Sequence, residues 1–278
     1  MKEIRLSPSI ATTLVQRSPL HAWAQHWLLG GVKKEPSQEM ERGLILETLI
    51  LDHGQDRLVM VDADDWRTKV AKEARDAARA EGRIAVLISK FEGYQRTADA
   101  VLKNVASYGI KFEGGEAQPR FEWDKNVGEP MATKPRVAQC KARPDYFNLK
   151  AGLLLDLKTT ENAHPLAVER KMMDFGYDIQ AVAYLEAVET KHRELAGRAK
   201  MLFVFAEVDP PYAVTIVEPD GSMLELGGRR WARAALAWEA CMRTNVWPSY
   251  QNKVYRAQAP TWALNQEATS ELLAEEGQ

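Results

Sequence analysis

The pattern of apolar and polar residues divides the chain into a helical first part and a strand-rich middle. "SPSIATTLVQRSPLHAWAQHWL" reads as helix capped by Ser7 or Ser9 and interrupted at Ser18-Pro19. "SQEMERGLILETLILDHG" is an amphipathic helix with Ser37 as its N-cap and Gly54 as its stop. Residues 64–108, rich in Ala, Arg, Lys and Glu, predict one or two surface helices that start at "DADDW" and end at "YGIKFEGGE". The texture then changes. "QPRFEWDKNV", "RVAQCKARPDYFNL" and "GLLLDLKTT" predict consecutive strands. One long helical stretch follows, "HPLAVERKMMDFGYDIQAVAYLEAVETKH", then the strands "AKMLFVFAEVD" and "YAVTIVEP". "SMLELGGRRWARAALAWEACMRTN" predicts the last long helix. Helices, a β-meander, a helix, two strands and a helix make an α+β, mixed-sheet domain.

Length is compatible with one domain over residues 1–255, helical in 1–110 and built on a sheet with helices in 111–250, with a polar, fraying tail at 256–278. The 37 basic and 39 acidic residues sum to a charge of -2, which neither advertises a nucleic-acid partner nor excludes one. Cys140 and Cys241 are too few for a disulfide framework or a four-cysteine metal site. No apolar run approaches the ~20 residues of a membrane span, and "MKEIRLSPSIATTL" lacks a signal-peptide core. A cytoplasmic chain is the expectation.

The chemistry concentrates in "RPDYFNLKAGLLLDLK". A hairpin turning near Lys150 sets Asp145 and Asp156 opposite one another, about 5 Å apart as cross-strand neighbours. Lys158 lies two residues past Asp156 and shares its face. Two carboxylates that close repel unless something positive stands between them. A divalent cation fits, being content with about two carboxylates plus water. Taken alone, an Asp-x-Lys is more often the mark of an exposed hairpin with solvated charges, and a one-residue slip would part the two aspartates. On the same extended segment Lys141 and Arg143 alternate with Asp145, share its face and are candidates to meet phosphates. Arg17 and Ser18, at the helix break, are candidates to hold a 5′-phosphate. Trp231, Trp238 and Trp247 occupy positions typical of core.

Pro144-Asp145 followed by Asp156-Leu157-Lys158 resembles the signature of the PD-(D/E)xK nucleases. Gln180 and Tyr184, i and i+4 on the next helix, are similar to the Q-x-x-x-Y motif of the RecB-like branch. "GLILETLIL" resembles the upstream helix of RecE-type exonucleases, with Glu47 where those proteins usually carry His, as lambda-type exonucleases do. "LSPSIATTLVQRSPLHAWAQ", "FVFAEVDPPYAVTIVEPD" and "WPSY" extend the likeness to about residues 7–250, most weakly over 60–110. The resemblance implies a restriction-endonuclease-like core, a central mixed sheet flanked by helices. It implies Mg²⁺, or Mn²⁺, held by Glu47, Asp145, Asp156 and the Leu157 carbonyl, with His53 as a fallback ligand. Lys158 would orient the attacking water or stabilise charge, Gln180 would position Lys158 or a phosphate, and Tyr184 would brace the helix or contact the DNA backbone.

The activity so implied is exonucleolytic cleavage of linear double-stranded DNA from its ends, 5′ to 3′, in phage-type recombination within a bacterial or phage-infected cell. A single-strand annealing recombinase as partner and a ring-shaped trimer or tetramer come with the same resemblance. Two other readings stay open: a structure-specific or restriction-type endonuclease, and an inactive DNA-binding module on the same fold.

Overall fold

The computed structural model describes residues 4–32, 35–51, 55–128 and 135–276. Its N-terminal helices start where capping chemistry puts them. Ser7 caps α1 (Pro8–Gln16) and Ser18 caps α2 (Pro19–Gln25), each followed by a proline whose missing N–H costs nothing in a first turn. Ser37 caps α3 (Gln38–Ile50), and Glu39 and Glu41 in its first turn complement the helix dipole. The expected stop at Gly54 and the fallback ligand His53 lie outside the described residues.

Residues 58–108 depart from the all-helical expectation. β1 (Leu58–Val61) and β2 (Ile84–Leu87) pair in parallel across α4 (Lys69–Ala80), and α5 (Ile88–Ser107) follows β2 directly. "RIAVLI" is a short continuous apolar run, and periodicity cannot tell such a buried strand from a helix segment.

The main sheet is built from β3 (Glu116–Ala117), β6 (Tyr146–Asn148), β7 (Leu153–Thr160), β8 (Lys200–Glu207) and β9 (Val214–Val217), paired in that order. β7 and β8 run parallel and the other neighbours antiparallel, so the sheet is mixed. β4 (Phe121–Asn126) and β5 (Val137–Ala142) form a separate antiparallel pair. The continuous strand expected over residues 136–149 therefore breaks between β5 and β6. Pro144 has no N–H to give to a ladder, and β5 is occupied on its other edge by Leu6, through Leu6 N–H to Gln139 O (2.8 Å) and Lys141 N–H to Leu6 O (2.9 Å).

The long helical stretch likewise splits into α6 (Pro165–Asp174) and α7 (Tyr177–Lys191). Gly176 between them has φ +68°, and a Cβ there would stand 2.4 Å from Thr12 Oγ1 on α1. α8 (Gly221–Thr244) starts at an Asp220 cap and packs along α7. The helices touch closely at Gly227, where a Cβ would lie 2.3 Å from the Asp178 carbonyl oxygen.

Helices cover both faces of the sheet. Leu154, Phe203 and Phe205 join Ile179, Trp231 and Trp238 in one core, and Leu155, Val204 and Ala206 join Leu46, Ile50 and Val101 in another. β7 is central and buried on both faces, which is why its sequence is a run of leucines rather than an alternation. Residues 249–278 form a second compact unit containing α9 (Thr261–Glu276). The tail expected to fray is helical there, in keeping with its Ala, Leu, Glu and Gln content.

Candidate functional site

The β6–β7 hairpin turns over residues 149–152, with Gly152 at φ +62°. Its register pairs Tyr146 with Leu155, so the next step along both strands sets Asp145 against Asp156. Asp145 lies just before β6, and its Oδ2 accepts from the Leu157 N–H at 2.7 Å. On β7, Leu154, Asp156 and Lys158 alternate onto the face that α7 covers. There Gln180 Nε2 donates to Asp156 Oδ1 (2.9 Å) and lies 2.8 Å from Tyr184 Oη, while Tyr184 Oη donates to the Arg143 carbonyl (3.1 Å). Lys158 Nζ stands 2.5 Å from Asp156 Oδ2 and 4.5 Å from the centre of the Tyr177 ring. From the opposite face of the sheet, α3 contributes Glu47, held by the side-chain amide of Gln118. Glu47, Asp145, Asp156, Lys158, Gln180 and Tyr184 thus meet at one place.

The charges there act on one another. Burial first, then the carboxylates of Asp156 and Glu47, push the Asp145 carboxyl well above the usual range. Burial also raises Glu47, partly offset by Gln118. Burial alone would lower Lys158, but Asp156, Tyr177 and Asp145 outweigh it and hold the ammonium. A raised carboxyl binds its proton more tightly folded than unfolded. Its stabilising contribution is complete below the unfolded value near 4 and is lost as pH climbs through the folded one. Asp145→Asn, without added metal, is expected to raise Tm at neutral pH by roughly 2–4 °C, the shift of about 1 kcal/mol in a domain of this size. The gain should shrink toward pH 4; a gain that grows on acidification would contradict the burial of a charge at Asp145.

Beside Lys158 opens a cavity of about 950 Å³ lined by Arg5, Arg120, Lys141, Arg143, Gln180 and Tyr184 among others. Lys141 and Arg143 do reach the same cavity, though by a different route from the one expected. Lys141 is on β5 and Arg143 in the following loop, its guanidinium donating to Gln118 Oε1 at 2.9 Å, so neither shares a strand with Asp145. Arg17 and Ser18 are not part of it. Ser18 is buried, and its hydroxyl is engaged by His21 Nδ1 at 2.6 Å while capping α2.

The model of a PDDEXK-like domain of unknown function (DUF3799) matches residues 130–258. No curated protein sequence matches the chain. Among solved structures, the chain is similar to that of a "Putative exonuclease" from Eubacterium rectale, with 12% identity, 94% of this chain and 92% of that chain covered, and a TM-score of 0.57. A phage-related exonuclease from Haemophilus somnus 129PT shows 14% identity over 72% of this chain and 95% of its own, but its TM-score of 0.34 carries no weight for the fold. The first likeness is one of fold and spans nearly the whole chain.

Within the residues that this family model matches, the donors suit a hard divalent cation. Asp156 Oδ2 is buried without an aligned hydrogen-bond donor, and the ammonium of Lys158 beside it is its compensation. The Leu157 N–H points off the edge of β7 toward Asp145, and its carbonyl shares that direction, past the end of β6. Among the described residues no three His, Cys, Asp or Glu side chains close into a ready-made cage. Mg²⁺ does not need one, since it takes one or two carboxylates and keeps water or phosphate on the rest.

Two contributors had weak signals in sequence. Gln118, at φ +51°, joins Glu47 to Arg143 and donates its backbone N–H to the Asp145 carbonyl (2.8 Å), yet a Gln before a Pro marks nothing. Tyr177 precedes Gln180 by three residues, so Tyr177, Gln180 and Tyr184 form one stripe on α7. That spacing extends the motif by one turn and was legible. Among the described residues no helix is long and apolar enough to cross a membrane.

Proposed function

We propose that the protein is a metal-dependent exonuclease that degrades linear double-stranded DNA from its ends, 5′ to 3′, in recombination of the phage type alongside a single-strand annealing partner. The observation that carries the nuclease reading is the meeting of the Glu47, Asp145 and Asp156 carboxylates around Lys158, which itself lines a cavity together with basic side chains. A phosphodiester is anionic and resists attack, so its hydrolysis needs positive charge near the phosphoryl oxygens and an oriented water. The basic lining draws the DNA backbone in, and that attraction should weaken steeply with salt.

Glu47, Asp145, Asp156 and the Leu157 carbonyl would hold Mg²⁺ or Mn²⁺, which supplies Lewis acidity toward the phosphate and a lower pKa for a bound water. Lys158 is an ammonium between Asp156 and the Tyr177 ring; it can donate to a phosphoryl oxygen or a water and cannot accept a proton. Gln180 fixes Asp156 and, through Tyr184, ties α7 to the Arg143 backbone. Gln118 does the same for Glu47 and the Arg143 guanidinium.

The test is digestion of end-labelled linear duplex beside a covalently closed circle, in Mg²⁺ or EDTA. Loss of the linear DNA alone, with Mg²⁺ and from the 5′ end first, is the expected result. Cutting of the closed circle would replace this reading with an endonuclease, and no cutting at all in Mg²⁺ would replace it with a binding module.

A further inference from the structure

A ladder of aromatic rings leads out of the core to the mouth of the same cavity. Phe203 is fully buried; Tyr177 stacks on it with centroids 5.5 Å apart and planes at 25°. Phe175 stacks on Tyr177 in turn, at 5.8 Å and 19°. Phe175 is 60% exposed and, with Tyr177 and Lys158, lines the cavity. A lone exposed phenylalanine would mean little. This one ends a stack whose middle ring also faces the Lys158 ammonium, and its outer side is open.

The junction that presents the ring is fixed in place. Gln16 Nε2 on α1 donates to the Met173 and Asp174 carbonyls, both at 3.1 Å, which satisfies the frayed end of α6. Gly176 sits so close to Thr12 that no Cβ fits between them. A flat surface held rigid at the C-terminal end of α6 loses little freedom when something stacks on it. Around it the charges are those of a backbone-binding groove, with Arg120, Lys141 and Arg143 on the same cavity.

From these observations we infer that the cavity takes an unpaired strand, and that Phe175 extends the Phe203–Tyr177 stack onto a base next to the phosphate held at Lys158. The inference rests on the nuclease reading and adds the form of the substrate: a strand already separated from its complement where it enters the site. Single-strand grooves of this kind combine a cationic track with aromatic faces and tolerate any base sequence. Phe175 is thus a positioning residue for substrate.

The test compares two single strands of equal length, oligodeoxythymidylate and an abasic phosphodiester, by fluorescence anisotropy with Ca²⁺ in place of Mg²⁺. Phe175→Ala is expected to weaken binding of the thymidylate by roughly 5- to 150-fold, the range for one stacked base. It should leave the abasic strand unchanged, and Phe175→Trp should restore the preference. Equal weakening on both strands would mean a structural role, and no weakening on either would mean no stack; each overturns the inference. If Lys141→Ala weakens both strands while Phe175→Ala weakens neither, the nuclease reading stands and the stack falls. Failure of the wild-type protein to bind either strand would overturn both.

Discussion

Asp156→Asn is expected to lower DNA cleavage by about 10²–10³-fold or more, the loss that follows removal of one preorganised electrostatic group from a reaction centre. The substitution is isosteric. Its side-chain oxygen can still accept from Gln180, while the amide nitrogen stands where Oδ2 faced the Lys158 ammonium, which must turn aside toward the Tyr177 ring and Asp145. Fold and DNA binding should survive, so circular dichroism and anisotropy stay near wild type while label release from linear duplex stops. Unchanged cleavage would remove Asp156 from the site, and the hairpin argument with it. Loss of folding would instead mean that the Asp156–Lys158 pair is structural.

The largest expected loss of stability lies elsewhere, at Arg230. Asp178 is fully buried in the first turn of α7, and its Oδ2 accepts from Arg230 Nη1 of α8 at 2.9 Å. Its Oδ1 has no hydrogen-bond partner among the described residues. Gly227, one helical turn before Arg230, is what lets the two helices come close enough for the pair to form. Removing one partner of a buried pair leaves a charge without compensation and costs about 3–5 kcal/mol. Arg230 retains some solvent contact, at 27% side-chain exposure, so the lower part of that range applies. Arg230→Ala should lower Tm by roughly 6–12 °C. Adding Asp178→Asn to the Arg230→Ala protein should recover most of the loss, because no charge then remains buried. A double variant as unstable as the single one would show that the loss came from packing.

The site was legible in sequence wherever its geometry is local. Asp145, Asp156 and Lys158 are set by one hairpin, whose register follows from its own turn. Gln180 and Tyr184 are set by one helix. Glu47 was legible as an anomaly, a carboxylate within an apolar run. What sequence left hidden depends on contacts between distant segments. The break between β5 and β6 follows from Leu6 pairing alongside Gln139 and Lys141, 133 or more residues away, and no local pattern announces it. The bridging role of Gln118 depends on Glu47 and Arg143 arriving from either side. Ser18 reads as a phosphate ligand only while its hydroxyl is free, and in the fold it is already capping α2. The β1–β2 pair was missed for a simpler reason: a four-residue apolar run has no period to read.

Glu47 reaches the centre from one face of the sheet and Gln180 from the other, which has a consequence for the chain as it is made. At about 5–20 residues per second, roughly 7–27 s separate the synthesis of residue 47 from that of residue 184. Of the side chains that meet Glu47, Gln118, Asp145 and Asp156 are made during that interval, and Gln180 and Tyr184 only at its end. The sheet that joins the two faces also needs β8, which comes later still. A chain that ends before β8 therefore lacks the sheet on which the two faces meet.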